Sequence, residues 1–159
     1  MKIIEKLENY TVDDLISCAK IIVDKDPKHN LRRDQQHLKA DMELTSLEGN
    51  LRFSLFIRQH AEYRHNFSIG LVFKGRMGEV KLIRFNGAHK RVMEEIDVPH
   101  YYCHIHREKD VENNLNTLSE SEITDKYSSF EDALCYALEY LNVTNYKEYF
   151  SSIEQLEIF

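Results

Sequence analysis

Val12, Leu15, Ile16, Ala19, Ile22 and Val23 recur at three- and four-residue steps behind Thr11, and Thr11-Val-Asp-Asp reads as a capped helix start. This spacing predicts an amphipathic helix over 11–26, ended by Pro27. From 27 to 50 the apolar residues thin out, which predicts a polar connector holding a short helix over 34–42. The period then changes to two. Segments 51–60, 66–74, 79–86 and 100–107 read as strands, and their short links make them antiparallel neighbours. Gly75-Arg-Met-Gly78 suits a hairpin turn between the second and third, while 87–99 is a longer excursion before the fourth. Behind Ser129, the positions Ala133, Leu134, Ala137, Leu138 and Leu141, then Tyr149, Phe150, Ile153 and Leu156, predict C-terminal helices within 129–157. Helix, strands and helices in this order predict an α+β fold: an antiparallel four-stranded meander sheet with helices packed on one face, in a single domain over 1–159.

Alternation assigns the two faces of that sheet. Phe53, Leu55 and Ile57 share one side of the first strand, Arg52, Ser54, Phe56, Arg58 and His60 the other. In the second, Phe67, Ile69, Leu71 and Phe73 alternate with Ser68, Gly70, Val72 and Lys74; in the third, Ile83 and Phe85 alternate with Arg84 and Asn86. The fourth sets Tyr101, Cys103 and Ile105 against His100, Tyr102, His104 and His106. If the apolar sides meet the helices, the exposed side gathers Arg58, His60, Arg84, Asn86, Tyr102, His104 and His106, and Gly70 leaves room there for a close approach.

Charge sharpens this picture. The 159 residues carry a net charge of −6, but 51–107 holds ten Lys or Arg against five Asp or Glu, a local +5 that leaves −11 elsewhere. Six of the eight histidines fall in the same segment. The plain explanation is that basic strands pair with acidic helices beside them. With 42% apolar content and only seven Gly and Pro together, the chain is neither a linker nor collagen-like. Its apolar runs are far too short to span a bilayer, and Met1-Lys-Ile-Ile-Glu-Lys lacks a signal-peptide core, so a cytoplasmic location is expected. Cys18, Cys103 and Cys135 show no C-x-x-C spacing and read as buried thiols.

Two pieces concentrate the chemistry, Arg84-Phe-Asn-Gly-Ala-His89 and His104-Ile-His-Arg107. Metal-free phosphodiester cleavage needs a general base, a general acid and a cation for the developing charge, and RNA supplies its own 2′-hydroxyl nucleophile. His104 and His106 as acid and base, Arg84 as phosphate clamp and His89 nearby fit those roles. Arg58, Asn86, Lys90, Arg91 and Arg107 would hold neighbouring phosphates, and Tyr101 or Tyr102 would stack a base. The same residues allow two other readings. H-x-H with a third ligand from His60, His89 or His100, closed by Glu94, Glu95 or Asp97, is a geometry used for metals. Alternatively, histidine beside arginine on a half-exposed sheet simply bonds backbone or keeps the face soluble. His29, His37 and His65 read as ordinary solvated histidines.

His104-Ile-His106 resembles part of the H-x-H-x-H run of histidine-triad hydrolases, with Tyr102 standing where the first histidine would be. The stretches Asn66-Phe-Ser-Ile-Gly70, Arg84-Phe-Asn-Gly-Ala-His89 and Cys103-His-Ile-His-Arg107, more loosely with the helix entry Tyr127-Ser-Ser-Phe-Glu-Asp-Ala-Leu134, resemble an uncharacterised family of small bacterial and phage proteins. More distantly, Arg84-Phe-Asn, then His89, then His104-Ile-His106 is similar to the TumE group of toxins from toxin–antitoxin modules. Asn86-Gly87 stands where those toxins tend to carry an acid after the aromatic, and only His89 of their paired histidines is present. That resemblance implies RNA-directed toxicity and an antitoxin partner. The expectation is therefore an RNA-engaging toxin-like or phage-accessory protein, a metal-independent ribonuclease with no cofactor and no membrane partner. A noncatalytic module for a protein or nucleic-acid partner is the alternative, and a histidine-coordinated metal enzyme the third option.

Overall fold

The computed structural model describes residues 3–24, 32–34, 37–88, 103–108 and 120–149. The fold is α+β with an antiparallel sheet. Its strands are β1 (Lys20–Ile22), β2 (Arg32–Asp34), β3 (His37–Ser46), β4 (Arg52–His60), β5 (Phe67–Gly75), β6 (Gly78–Asn86), β7 (His104–Arg107) and β8 (Glu120–Ile123). They run in the order β1-β3-β4-β5-β6-β7-β8, and β2 shares one edge of β3 with β1. Among the described residues four short helices accompany them: α1 (Ile3–Lys6), α2 (Val12–Ser17), α3 (Phe130–Tyr140) and α4 (Tyr146–Tyr149). Among the described residues no helix is long and apolar enough to cross a membrane.

The four-stranded meander is thus the centre of a wider sheet, and three sequence expectations need correction. The helix expected over 11–26 ends at Ser17, and the chain turns extended at Cys18 to form β1. Isoleucine at two successive positions favours a strand there. The Lys20 side chain closes the helix end: its ammonium donates to the carbonyls of Ile16 (2.7 Å), Cys18 (2.8 Å) and Leu141 (2.9 Å), using its three N–H groups at 0% exposure. Where a short helix is expected over 34–42, the described residues are the last residue of β2 and the first six of β3. Ala, Met, Leu and Lys suit a helix, but Ala40, Met42, Leu44 and Ser46 alternate inward, and pairing with β4 overrides the local preference. Strand β8 went unread because Glu120-Ser-Glu-Ile123 carries one apolar residue. The C-terminal helical region resolves into α3 and α4; residues 150–157 of the expected span lie outside the described residues.

Other local readings match the structure. Thr11 accepts from the Asp14 N–H (3.0 Å) and Ser129 from the Asp132 N–H (3.2 Å), each capping its helix. The buried apolar residues form one cluster joining Leu15 and Ile16 of α2, Ala133, Leu134, Ala137 and Leu138 of α3, and Phe53, Leu55, Ile69, Leu71 and Phe85 of the sheet. Phe130 meets Phe67 edge-on at 5.7 Å, and Tyr136 and Tyr140 meet Phe85 at 5.9 and 5.6 Å. The helices therefore cover the face that alternation marked as apolar. The three cysteines are free and only partly buried, although burial still pushes the Cys103 thiol up.

One irregularity matters for the opposite face. Leu71 faces Ile83 while Val72 faces Lys81, so Leu82 is an extra residue in β6. The bulge turns Lys81 onto the side of Gly70 and Arg84, where unbroken alternation would have turned it away.

Candidate functional site

Register lines the residues of the polar face into two rows crossing the strands. One runs Asp41, Phe56, Gly70, Arg84, His106, Ser121; the other runs Lys39, Arg58, Ser68, Asn86, His104, Ile123. Arg58, Arg84, Asn86, His104 and His106 therefore do share one face, drawn from three strands. Their environments differ sharply.

Arg84 and His106 form the centre. Arg84 Nη2 lies 2.9 Å from His106 Nδ1, and both side chains are half-buried. Arg84, His106, Lys81 and Glu108 line a hollow of about 180 Å3 together with Leu82 and Ile83. His104, whose ring centroid stands 6.1 Å from that of His106, is 1% exposed, and Asn86 is 2% exposed. Both were expected at the surface. Asn86 Oδ1 accepts from Ser68 Oγ at 2.6 Å, and the single O–H of Tyr127 is shared between the carbonyls of Asn86 (2.9 Å) and His104 (3.0 Å), fastening β6 to β7. Burial pushes the Tyr127 phenol well above its ordinary range, which keeps it a donor.

Three further expectations change. Arg58 is held by Asp41 (3.2 Å) and donates to the carbonyls of Ala40 and Ile57. Arg107 faces the helices, opposite His106 beside it in sequence; it stands across from Ile83 and pairs with Asp13 of α2. Alternation along β7 requires this, since neighbours in a strand point to opposite faces. His60 is 9% exposed; its Nδ1 accepts from the N–H groups of Glu62 and Tyr63 (3.1 Å each), and its ring packs on Tyr63. It organises the β4–β5 turn. His89, Lys90, Arg91, His100, Tyr101 and Tyr102, with Glu94, Glu95 and Asp97, lie outside the described residues.

Five of the ten cations of the basic middle are answered by acids of the flanks. Arg58, Lys74, Arg64, Arg76 and Arg107 pair with Asp41, Glu43, Glu131, Glu8 and Asp13, all outside 51–107. The charge partition thus reflects assembly of the fold. Among the described residues no three His, Cys, Asp or Glu side chains form a group able to hold a metal ion.

Two residues of the polar face were not singled out by the sequence. Lys81 depends on the bulge. Phe56 lies across Gly70: a Cβ added to the glycine would stand 2.2, 2.3 and 3.0 Å from three atoms of its ring. The space expected over Gly70 is therefore filled, and by an aromatic. Arg58 and Lys81 stand 5.3 and 5.7 Å from the centroid of this ring.

Comparison of the chain with protein-family models, with curated proteins and with solved structures finds no match.

Proposed function

We propose that the polar sheet face engages RNA, with a phosphate seated among Lys81, Arg84 and His106. The observation that carries this reading is the hollow in which two cations and an imidazole converge beside the single carboxylate of Glu108. With Nδ1 accepting from Arg84, neutral His106 carries its proton on Nε2, a donor suited to a phosphate oxygen. The same nitrogen is suited to proton transfer. Cleavage needs a second such group, and the burial of His104 leaves His106 as the more accessible of the two histidines expected to act as acid and base. Binding is therefore the primary activity in this reading and metal-independent cleavage the secondary one, with His89 the sequence's remaining candidate. The resemblance to TumE toxins supports RNA as the target and a toxin-like role with an antitoxin partner in the cytoplasm.

The test is fluorescence anisotropy of a labelled oligouridine across a salt series. Binding should weaken steeply with salt, and Lys81→Ala or Arg84→Ala should each reduce the salt slope by about 1. No binding at low salt overturns the proposal. Incubating the RNA with protein and a chelator separates the two activities: cleavage lost in His106→Ala supports catalysis, and intact RNA with binding retained favours a noncatalytic module.

A further inference from the structure

We infer that Phe56 is a base-stacking platform and that the RNA engaged by this face is single-stranded. The inference rests on the reading of Lys81, Arg84 and His106 as a phosphate seat and names what that seat takes with it. The other phenylalanines of the sheet, Phe53, Phe67, Phe73 and Phe85, are at most 2% exposed on the helix side, where they build the core. Phe56 alone among them is turned to the polar face, where it is half-buried.

Its posture is set by Gly70. The ring occupies the place of the missing Cβ, so it rests on the β5 backbone. An aromatic fixed in this way presents a rigid π-surface at little entropic cost on binding. Charge completes the platform. Phe56 and Arg84 flank Gly70 in one cross-strand row, two strand spacings or about 10 Å apart. Lys81 lines the hollow and also stands over the ring, 5.7 Å from its centroid, as Arg58 does at 5.3 Å, so a stacking base takes the place of one of these long, flexible side chains. A stacking surface beside cations that track a phosphate backbone is the arrangement by which proteins hold unpaired nucleotides, because every base offers a π-face. A duplex cannot supply that base, since its bases are stacked on one another. Of the acids of this face, Asp41 and Glu43 are paired with Arg58 and Lys74, while Glu108 lines the hollow and its charge opposes the ligand there.

The chain contains no tryptophan, so Phe56→Trp introduces a single reporter. Its emission should be quenched on titration with oligouridine and unchanged by inorganic phosphate or by duplex RNA. Phe56→Leu, which keeps an apolar cover over Gly70, should weaken oligouridine binding roughly tenfold, while Phe56→Tyr should bind like the unaltered protein. Thermal unfolding of each variant establishes that it is folded. Binding that depends on Arg84 but leaves the tryptophan unquenched and Phe56→Leu unimpaired overturns this inference and spares the phosphate seat. Failure of the unaltered protein to bind any RNA overturns the seat itself, and the platform with it.

Discussion

Arg84 Nη2 and His106 Nδ1 stand 2.9 Å apart across the paired strands β6 and β7. A guanidinium only donates, so the imidazole nitrogen accepts, and the tautomer of His106 follows from a residue twenty-two positions earlier. A proton on Nδ1 and a hydrogen bond from Arg84 exclude each other. Nitrogen NMR should therefore find Nδ1 unprotonated and Nε2 protonated in the neutral ring. Arg84→Ala should mix the two tautomers and cost about 1 kcal/mol of stability.

The buried Lys20 should make stability depend on alkaline pH. Its ammonium satisfies three carbonyls, yet desolvation lowers its pKa from 10.5 to about 8. Below pH 8 both folded and unfolded chains hold the proton and this contribution is flat. Between 8 and 10.5 the unfolded chain holds the proton that the folded chain has released, so stability rises with pH, by something on the order of 3 kcal/mol. Falling pH removes that gain. Urea unfolding across this range should show the rise, and Lys20→Met should abolish it. Met also leaves three carbonyls without their donor and should lower stability at pH 7 by about 3 kcal/mol.

Arg107 serves the fold. Its partner Asp13 lies largely in solvent, so a double-mutant cycle between them should give a coupling of about 1 kcal/mol or less. Arg107→Ala should leave oligouridine affinity unchanged under conditions where Arg84→Ala weakens it. An equal loss in both variants would put Arg107 in the ligand's path.

Gly70→Ala should lift the Phe56 ring from β5, because the new methyl would occupy the position of the ring's outer atoms. The ring end can swing aside, so the stability cost should stay near 1 to 2 kcal/mol. RNA binding should fall with it. Calorimetric unfolding and anisotropy on the same sample compare the two effects.

Glu108 lines the hollow that we assign to phosphate, and its charge opposes an anion there. Glu108→Gln should tighten oligouridine binding up to about fivefold at low salt, the effect of one charge at close range in water. The gain should fade as salt is added.

Much of the polar face was legible because strand alternation is local. Arg84 with Asn86 and His104 with His106 follow from a period of two, and the caps at Thr11 and Ser129 follow from hydroxyls ahead of acidic first turns. The same rule, carried one residue further, sends Arg107 to the helix side. Exposure was not legible. Whether a histidine on a given face meets water depends on what covers it, and His104 is buried while His106 beside it on that face is only half so. Nor was β3 legible, since its alternating but helix-favouring residues become a strand through pairing with β4.

By itself the sequence determined the α+β class, the central antiparallel strands and the side of each strand that carries polar groups, because these depend on hydrophobic period and on residues close in the chain. Tertiary structure alone decided that Lys81 joins Arg84 across a bulge, that Phe56 lies on Gly70, that Lys20 caps helix ends from within the core, and that five cations of the basic middle are paired by distant acids. Each of these is a relation between strands or helices brought together by register and packing, and no local pattern encodes the partner.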